Sequence, residues 1–113
     1  MEKFMYLFRG VPPTEDAHIV PDDHKQKWML WMKSLGEKGA LVGGEPLQHT
    51  GKLVKGAKKV VSDGPFVEAK EIVGGYLVVN ARDINEAAEL SKGCPVFDYD
   101  GWVEVRPVAN MEM

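Results

Sequence analysis

Two short apolar runs constrain the fold of this chain more than any other feature. Phe4-Met5-Tyr6-Leu7-Phe8 and Tyr76-Leu77-Val78-Val79 carry large apolar side chains at odd and even positions alike. Successive side chains of a strand point to opposite faces, so each run reads as a strand that has to be covered on both sides. Both are far shorter than the roughly 20 residues a helix needs to cross a bilayer. With 113 residues there is material for one core rather than two, which predicts a single domain over residues 1–113.

The remaining segments supply one covering layer. After Pro21-Asp22, a helix-start signal, Trp28, Trp31, Met32 and Leu35 recur at i, i+3, i+4 and i+7 and predict an amphipathic helix over residues 22–38. Lys38-Gly39 closes it, with a glycine able to take the left-handed cap conformation. Ala40-Leu41-Val42 starts a second strand, which Gly43-Gly44-Glu45-Pro46 is expected to interrupt; a double glycine there suits a bulge or the close approach of another backbone. Gly51 to Ser62 reads as a hairpin turning near Gly56 with lysines on its solvent face, followed by a turn at Asp63-Gly64-Pro65-Phe66. Residues 67–72 read as a loop or one helical turn, and Gly10 to Asp23, with its prolines and acidic residues, as a surface loop. Asp83-Ile84-Asn85-Glu86 has the form of a capping box for a second helix that Gly93 and Pro95 stop. Trp102-Val103-Glu104-Val105-Arg106 alternates apolar and polar residues, a half-exposed last strand closed by Pro107.

Strand, helix, two or three strands, loop, strand, helix and strand is the order of a ferredoxin-like α+β fold, an antiparallel sheet with two helices on one face. Two helices cover one face only. The second apolar face calls for another cover, and a second copy packed sheet to sheet supplies it; at about 25 cal/mol per Å² such burial contributes several kcal/mol. A homodimer is therefore expected. Seventeen acidic against fourteen basic residues give a net charge of −3, which speaks against nucleic acid and anionic membranes as partners. The lone Cys94 forms no intramolecular disulfide and the first residues lack the apolar core of a signal peptide, so a cytoplasmic setting is expected. His18, His49 and Cys94 show no ligand-like spacing, and no metal or other cofactor is expected.

Ser62-Asp63-Gly64-Pro65-Phe66-Val67-Glu68-Ala69-Lys70-Glu71 and Gly74-Gly75-Tyr76 resemble the signature of the DGPF subgroup of the YCII-related protein family. Gly43-Gly44-Glu45-Pro46-Leu47 and Val103-Glu104-Val105-Arg106-Pro107 extend the resemblance over nearly the whole chain. It implies a ferredoxin-like domain that forms a dimeric α/β barrel, in agreement with the two-sided strands. It also implies small-molecule chemistry: characterised relatives are proposed to use a His and Asp pair, and one related enzyme removes chloride from a chlorinated hydroxyquinol. Some bacterial members lie beside alternative sigma factors, which implies a different reading, a non-catalytic ligand-binding or regulatory module.

Among individual residues, Asp63 stands first. A carboxylate at a strand end beside a Gly-Pro turn acts as an acid or base if burial raises its pKa, or simply caps the turn by accepting backbone N–H bonds. His24 lies near the start of the first helix, where the positive helix end favours a neutral imidazole, and it is either a base or an exposed surface histidine. Glu45 is a further candidate for the cleft. Lys70 neutralises an anionic substrate or pairs with Glu68 and Glu71 in a solvated charge run. Arg9 and Arg106 end the first and last strands and form an anion clamp if those strands lie side by side. Trp28 and Trp31 belong to helix packing.

Overall fold

The computed structural model describes residues 1–10, 22–48, 51–63, 73–99 and 101–110. Their elements are β1 (Glu2–Arg9), α1 (Asp22–Glu37), β2 (Leu41–Pro46), β3 (Lys52–Lys55), β4 (Val60–Asp63), β5 (Val73–Ala81), α2 (Ile84–Ser91), a 3-10 turn (Pro95–Tyr99) and β6 (Trp102–Pro107). Four strands form an antiparallel sheet in the order β2-β5-β1-β6, and β3 pairs only with β4. Without that hairpin the order of elements is βαββαβ, with the first and third strands at the centre. This is the ferredoxin-like α+β arrangement, with the hairpin inserted between its second and third strands.

Alternate residues of the two central strands build the core. Phe4, Tyr6 and Phe8 of β1 and Leu77, Val79 and Ala81 of β5 are buried beneath α1 and α2, whose Trp31, Leu35 and Ala87 join the same cluster. The stripe expected on the first helix is the buried one: Trp31 and Leu35 are in the core, while Trp28 and Met32 pack at its margin. Aromatic rings knit the layers together. Trp31 stacks on Tyr6 at 6.1 Å between centroids, and Trp28 meets Phe8 edge to face at 5.0 Å. The polar tips are anchored as well, since Trp31 Nε1 donates to Leu90 O at 3.1 Å and the Tyr6 hydroxyl donates to Ala87 O at 2.5 Å, tying both helices to the sheet.

The helix ends follow from their residues. Gly39 takes φ +72°, and Ala40 N donates back to Leu35 O at 2.9 Å, closing α1 with a left-handed glycine cap. At the start of α2, Asp83 Oδ1 accepts from Glu86 N at 2.9 Å while Glu86 Oε1 accepts from Arg82 N at 3.1 Å, a reciprocal cap. Cys94 and Val96, in and beside the 3-10 turn after α2, are buried, and Lys27 pairs with Asp98 of that turn at 3.2 Å.

Two expectations need correction. Gly43-Gly44 does not interrupt the second strand: β2 runs through it to Pro46, with a register shift between Leu41 and Gly43. A Cβ at Gly44 would collide with Tyr76 O and lie 2.7 Å from Leu77 Cα, so the glycine permits β2 to approach β5 closely. The hairpin, expected to have one solvent face, has every residue from Lys52 to Asp63 exposed. Most of the expected loop from Gly10 to Asp23, and all of residues 67–72, lie outside the described residues.

Candidate functional site

Three of the predicted site residues, Glu45, Arg9 and Arg106, lie on the face of the sheet away from the helices. Strand pairing sorts it into rows. One row runs Gly43, Val78, Met5, Arg106; the next runs Glu45, Tyr76, Leu7, Glu104; a third runs Val73, Arg9, Trp102. Met5, Leu7, Tyr76 and Val78 are only half-buried, so the middle of this face is an apolar floor with no layer of the described chain above it. Charged groups stand at its margins, Glu45 on β2 and an arginine–glutamate cluster where β1 meets β6.

That cluster depends on a pairing the linear sequence leaves open. β6 lies beside β1, which brings Arg9 and Arg106 to the same carboxylate: Arg9 Nη2 is 3.5 Å and Arg106 Nη1 is 3.6 Å from the two oxygens of Glu104. Arg9 is held down on the sheet with 20% of its side chain exposed, whereas Arg106 is 67% exposed. Separations of 3.5 Å and more are ion pairs rather than short bidentate hydrogen bonds. A guanidinium so placed, beside an apolar floor and the half-exposed Trp102 ring, suits a small planar ligand bearing an anionic or hydroxyl oxygen. Gly10, at φ +77°, leaves room for the Trp102 ring, since a Cβ there would lie 2.5 Å from Trp102 Cζ3.

The other predicted residues are distributed as follows. Asp63 ends β4 and pairs with Lys52 across the hairpin at 2.7 Å, with 76% of its side chain exposed. Within one protomer it is neither buried nor shown in contact with the residues of the open face. His24 lies in the first turn of α1, and its side chain is outside the described residues, as is Lys70. Thus Glu45, Arg9 and Arg106 share one face of the sheet, and Asp63 stands apart on the hairpin. Glu104 was not among the predicted site residues. The signal for it lay in the alternation of residues 102–106, which puts Trp102, Glu104 and Arg106 on one face and Val103 and Val105 on the other.

The helix side holds the two groups whose protonation is most perturbed. Burial pushes the Cys94 thiol up to about 12, and burial aided by the nearby Cys94 pushes the Tyr6 hydroxyl up to about 12. Both stay protonated at neutral pH, so neither serves there as a nucleophile or base. A groove between α1 and α2 of about 310 Å³ is lined by Trp31, Ser34, Lys38, Glu86 and Glu89, but Glu86 is engaged in the α2 cap and Glu89 pairs with Lys92. Among the described residues no group of three His, Cys, Asp or Glu side chains could hold a metal ion, and no helix is long and apolar enough to cross a membrane.

Comparison with known proteins agrees with this architecture. The YCII-related domain matches residues 5–112. The chain belongs to the YCII-related family. Its fold is also that of 5-chloro-2-hydroxyhydroquinone dehydrochlorinase (TftG) from Burkholderia phenoliruptrix AC1100, solved in complex with 2,5-dihydroxybenzoquinone. The TM-score is 0.57 at 16% sequence identity, covering 96% of this chain and 95% of that one. No curated protein matches the sequence. For this YCII-related chain the likeness establishes the fold, and the chemistry has to be argued from its own residues.

Proposed function

We propose that this chain is a small-molecule enzyme of the DGPF subgroup, working by acid–base catalysis in a cleft between the open sheet face and a second copy in a cytoplasmic homodimer. One observation carries the reading: an apolar, half-buried sheet face with Arg9, Glu104, Arg106 and Glu45 at its margins and Tyr76 in its floor. A lone apolar floor would serve assembly alone. Ordered charges at its margins give it the composition of a ligand site, apolar walls with a few placed polar groups. The substrate class that fits is a small hydroxylated aromatic or organic acid, its oxygen held by Arg9 and its ring laid on Leu7, Tyr76 and Val78. The ligand bound to the dehydrochlorinase, a dihydroxybenzoquinone, is likewise a small planar hydroxylated ring.

In this reading Glu45 and Glu104 are carboxylates at the margin of the floor, and Asp63 on the hairpin and His24 are further acid–base candidates. The test is a thermal-shift screen of hydroxylated aromatics and organic acids against the wild type, Arg9→Gln and Asp63→Asn. A ligand at 100 times its dissociation constant adds about 2.7 kcal/mol, or about 10 °C in a domain of this size. The expected result is a compound that raises the wild-type Tm, leaves Arg9→Gln unmoved, and is turned over by the wild type but not by Asp63→Asn. A compound that stabilises both equally and is not consumed would sink the enzyme reading.

A further inference from the structure

The β3–β4 hairpin is unlike the rest of the fold. It pairs with no strand of the main sheet, and none of its residues is buried. A two-stranded hairpin standing alone is marginal in water, and among the described residues no other element packs on this one, yet it is apolar on both faces. Val54 lies opposite Val61 on one face, at 65% and 56% exposure, while Leu53 and Val60 share the other at 47% and 60%. Exposed strands usually carry an apolar side and a solvated side. Here each side asks for a cover.

We propose that the hairpin is a dimerisation arm that packs against the second copy, an inference that rests on the open-face homodimer proposed above. The first ground is area. Four strands about 4.8 Å apart and six to nine residues long project a face on the order of 500 Å², short of the about 800 Å² per partner of a stable interface. Four residue pairs with two usable faces add on the order of 250 Å², which brings the total close to that requirement. The second ground is charge. Residues 52–63 hold Lys52, Lys55, Lys58 and Lys59 against a single Asp63, a net +3, so the rest of a chain whose total is −3 carries −6. A basic arm facing an acidic body is complementary between two copies of this chain.

The geometry of the arm favours reach over local packing. Its connection is a tight four-residue turn, with Gly56 at φ +82°, Lys59 at φ +56° and a Lys59 N to Gly56 O bond of 3.0 Å, so Lys58 and Lys59 sit at the tip. The Lys52–Asp63 pair clasps the base. The arm therefore keeps its shape while offering both faces outward.

The test is the dissociation constant of the dimer, measured by sedimentation on the full chain as a function of salt. In Val54→Lys/Val61→Lys the constant rises at least tenfold, because each change acts twice in a symmetric pair, while circular dichroism of the fold is unchanged. In Lys58→Gln/Lys59→Gln the salt dependence seen in the wild type flattens. Leu7→Lys, on the open face, separates this proposal from the one beneath it. If Leu7→Lys dissociates the dimer and the hairpin variants do not, the arm is refuted and the open-face dimer stands. If the hairpin variants dissociate it and Leu7→Lys does not, the arm stands and the open-face reading fails. A wild type that is monomeric at micromolar concentration refutes both, as does a salt-independent dimer with unchanged constants in every variant.

Discussion

The two faces of the same sheet are built by alternate residues of the same strands, and they have opposite characters. On one, Phe4, Tyr6, Phe8, Leu77 and Val79 are closed over by two helices, and burial keeps the Tyr6 hydroxyl and the Cys94 thiol neutral. On the other, Met5, Leu7, Tyr76 and Val78 are half-covered and charges stand at the margin. A strand that is apolar on both faces thus announces two interfaces, of which the chain's own helices satisfy one. The closed face determines stability, and the open face is left for what the protein meets.

The largest effect expected from this contrast is with pH. In the unfolded chain Tyr6 and Cys94 titrate near 10 and 9, and in the folded protein both are pushed up to about 12. The folded state holds these protons more tightly, so their contribution is fully present below pH 9 and is lost as the pH rises towards 12. Denaturation in guanidinium between pH 8 and 12 should show stability falling steeply above pH 9, and less steeply in Tyr6→Phe. A flat curve would mean that the closed face is not dry.

Next in size is a pair of truncations of equal chemistry on the two faces. Leu35, buried to 1% exposure beneath the sheet, should cost about 3 kcal/mol as Leu35→Ala because it leaves a cavity among packed rings. Leu7→Ala, measured at a protein concentration where the chain is monomeric, should cost less than about 1 kcal/mol, since that side chain is only half-buried and its loss opens no enclosed cavity. Equal costs would erase the distinction between the faces. Tyr6→Phe falls between those two. It removes the hydrogen bond to Ala87 O, which should cost about 1–2 kcal/mol with the ring stacking retained.

How much of this was legible in the sequence follows the range of the interactions. The α1 stripe, its glycine cap, the α2 capping box and the two-sided strands are written within windows of a few residues, and each forms where those residues place it. The β3–β4 hairpin was legible as a hairpin. Its separation from the sheet was not, because the lysines that suggest an exposed edge do not say that the opposite face is exposed too. Glu104 escaped notice for a related reason. Its alternation put it on a face with Arg106, but its meeting with Arg9 needs β6 beside β1, a pairing across nearly the whole chain that no local pattern encodes. At Gly43-Gly44 the reading of a bulge and close approach holds, and the interruption does not, because glycine admits Tyr76 O to the space a side chain would fill and the ladder continues through it.

The smallest expected effect decides the most disputed residue. Asp63 is exposed, and its pair with Lys52 is of the kind that contributes between nothing and about 1 kcal/mol. Asp63→Asn should therefore shift the urea midpoint by no more than the equivalent of about 0.5 kcal/mol. Against so quiet a background, functional readouts become interpretable. Loss of turnover with ligand stabilisation intact would assign Asp63 a proton-transfer role at a site assembled only in the dimer. Loss of the dimer with the monomer fold intact would assign it to the base of the arm. A stability cost well above 1 kcal/mol would instead mean that the charge of the carboxylate serves the fold, and acid–base chemistry would then fall to Glu45, Glu104 or His24.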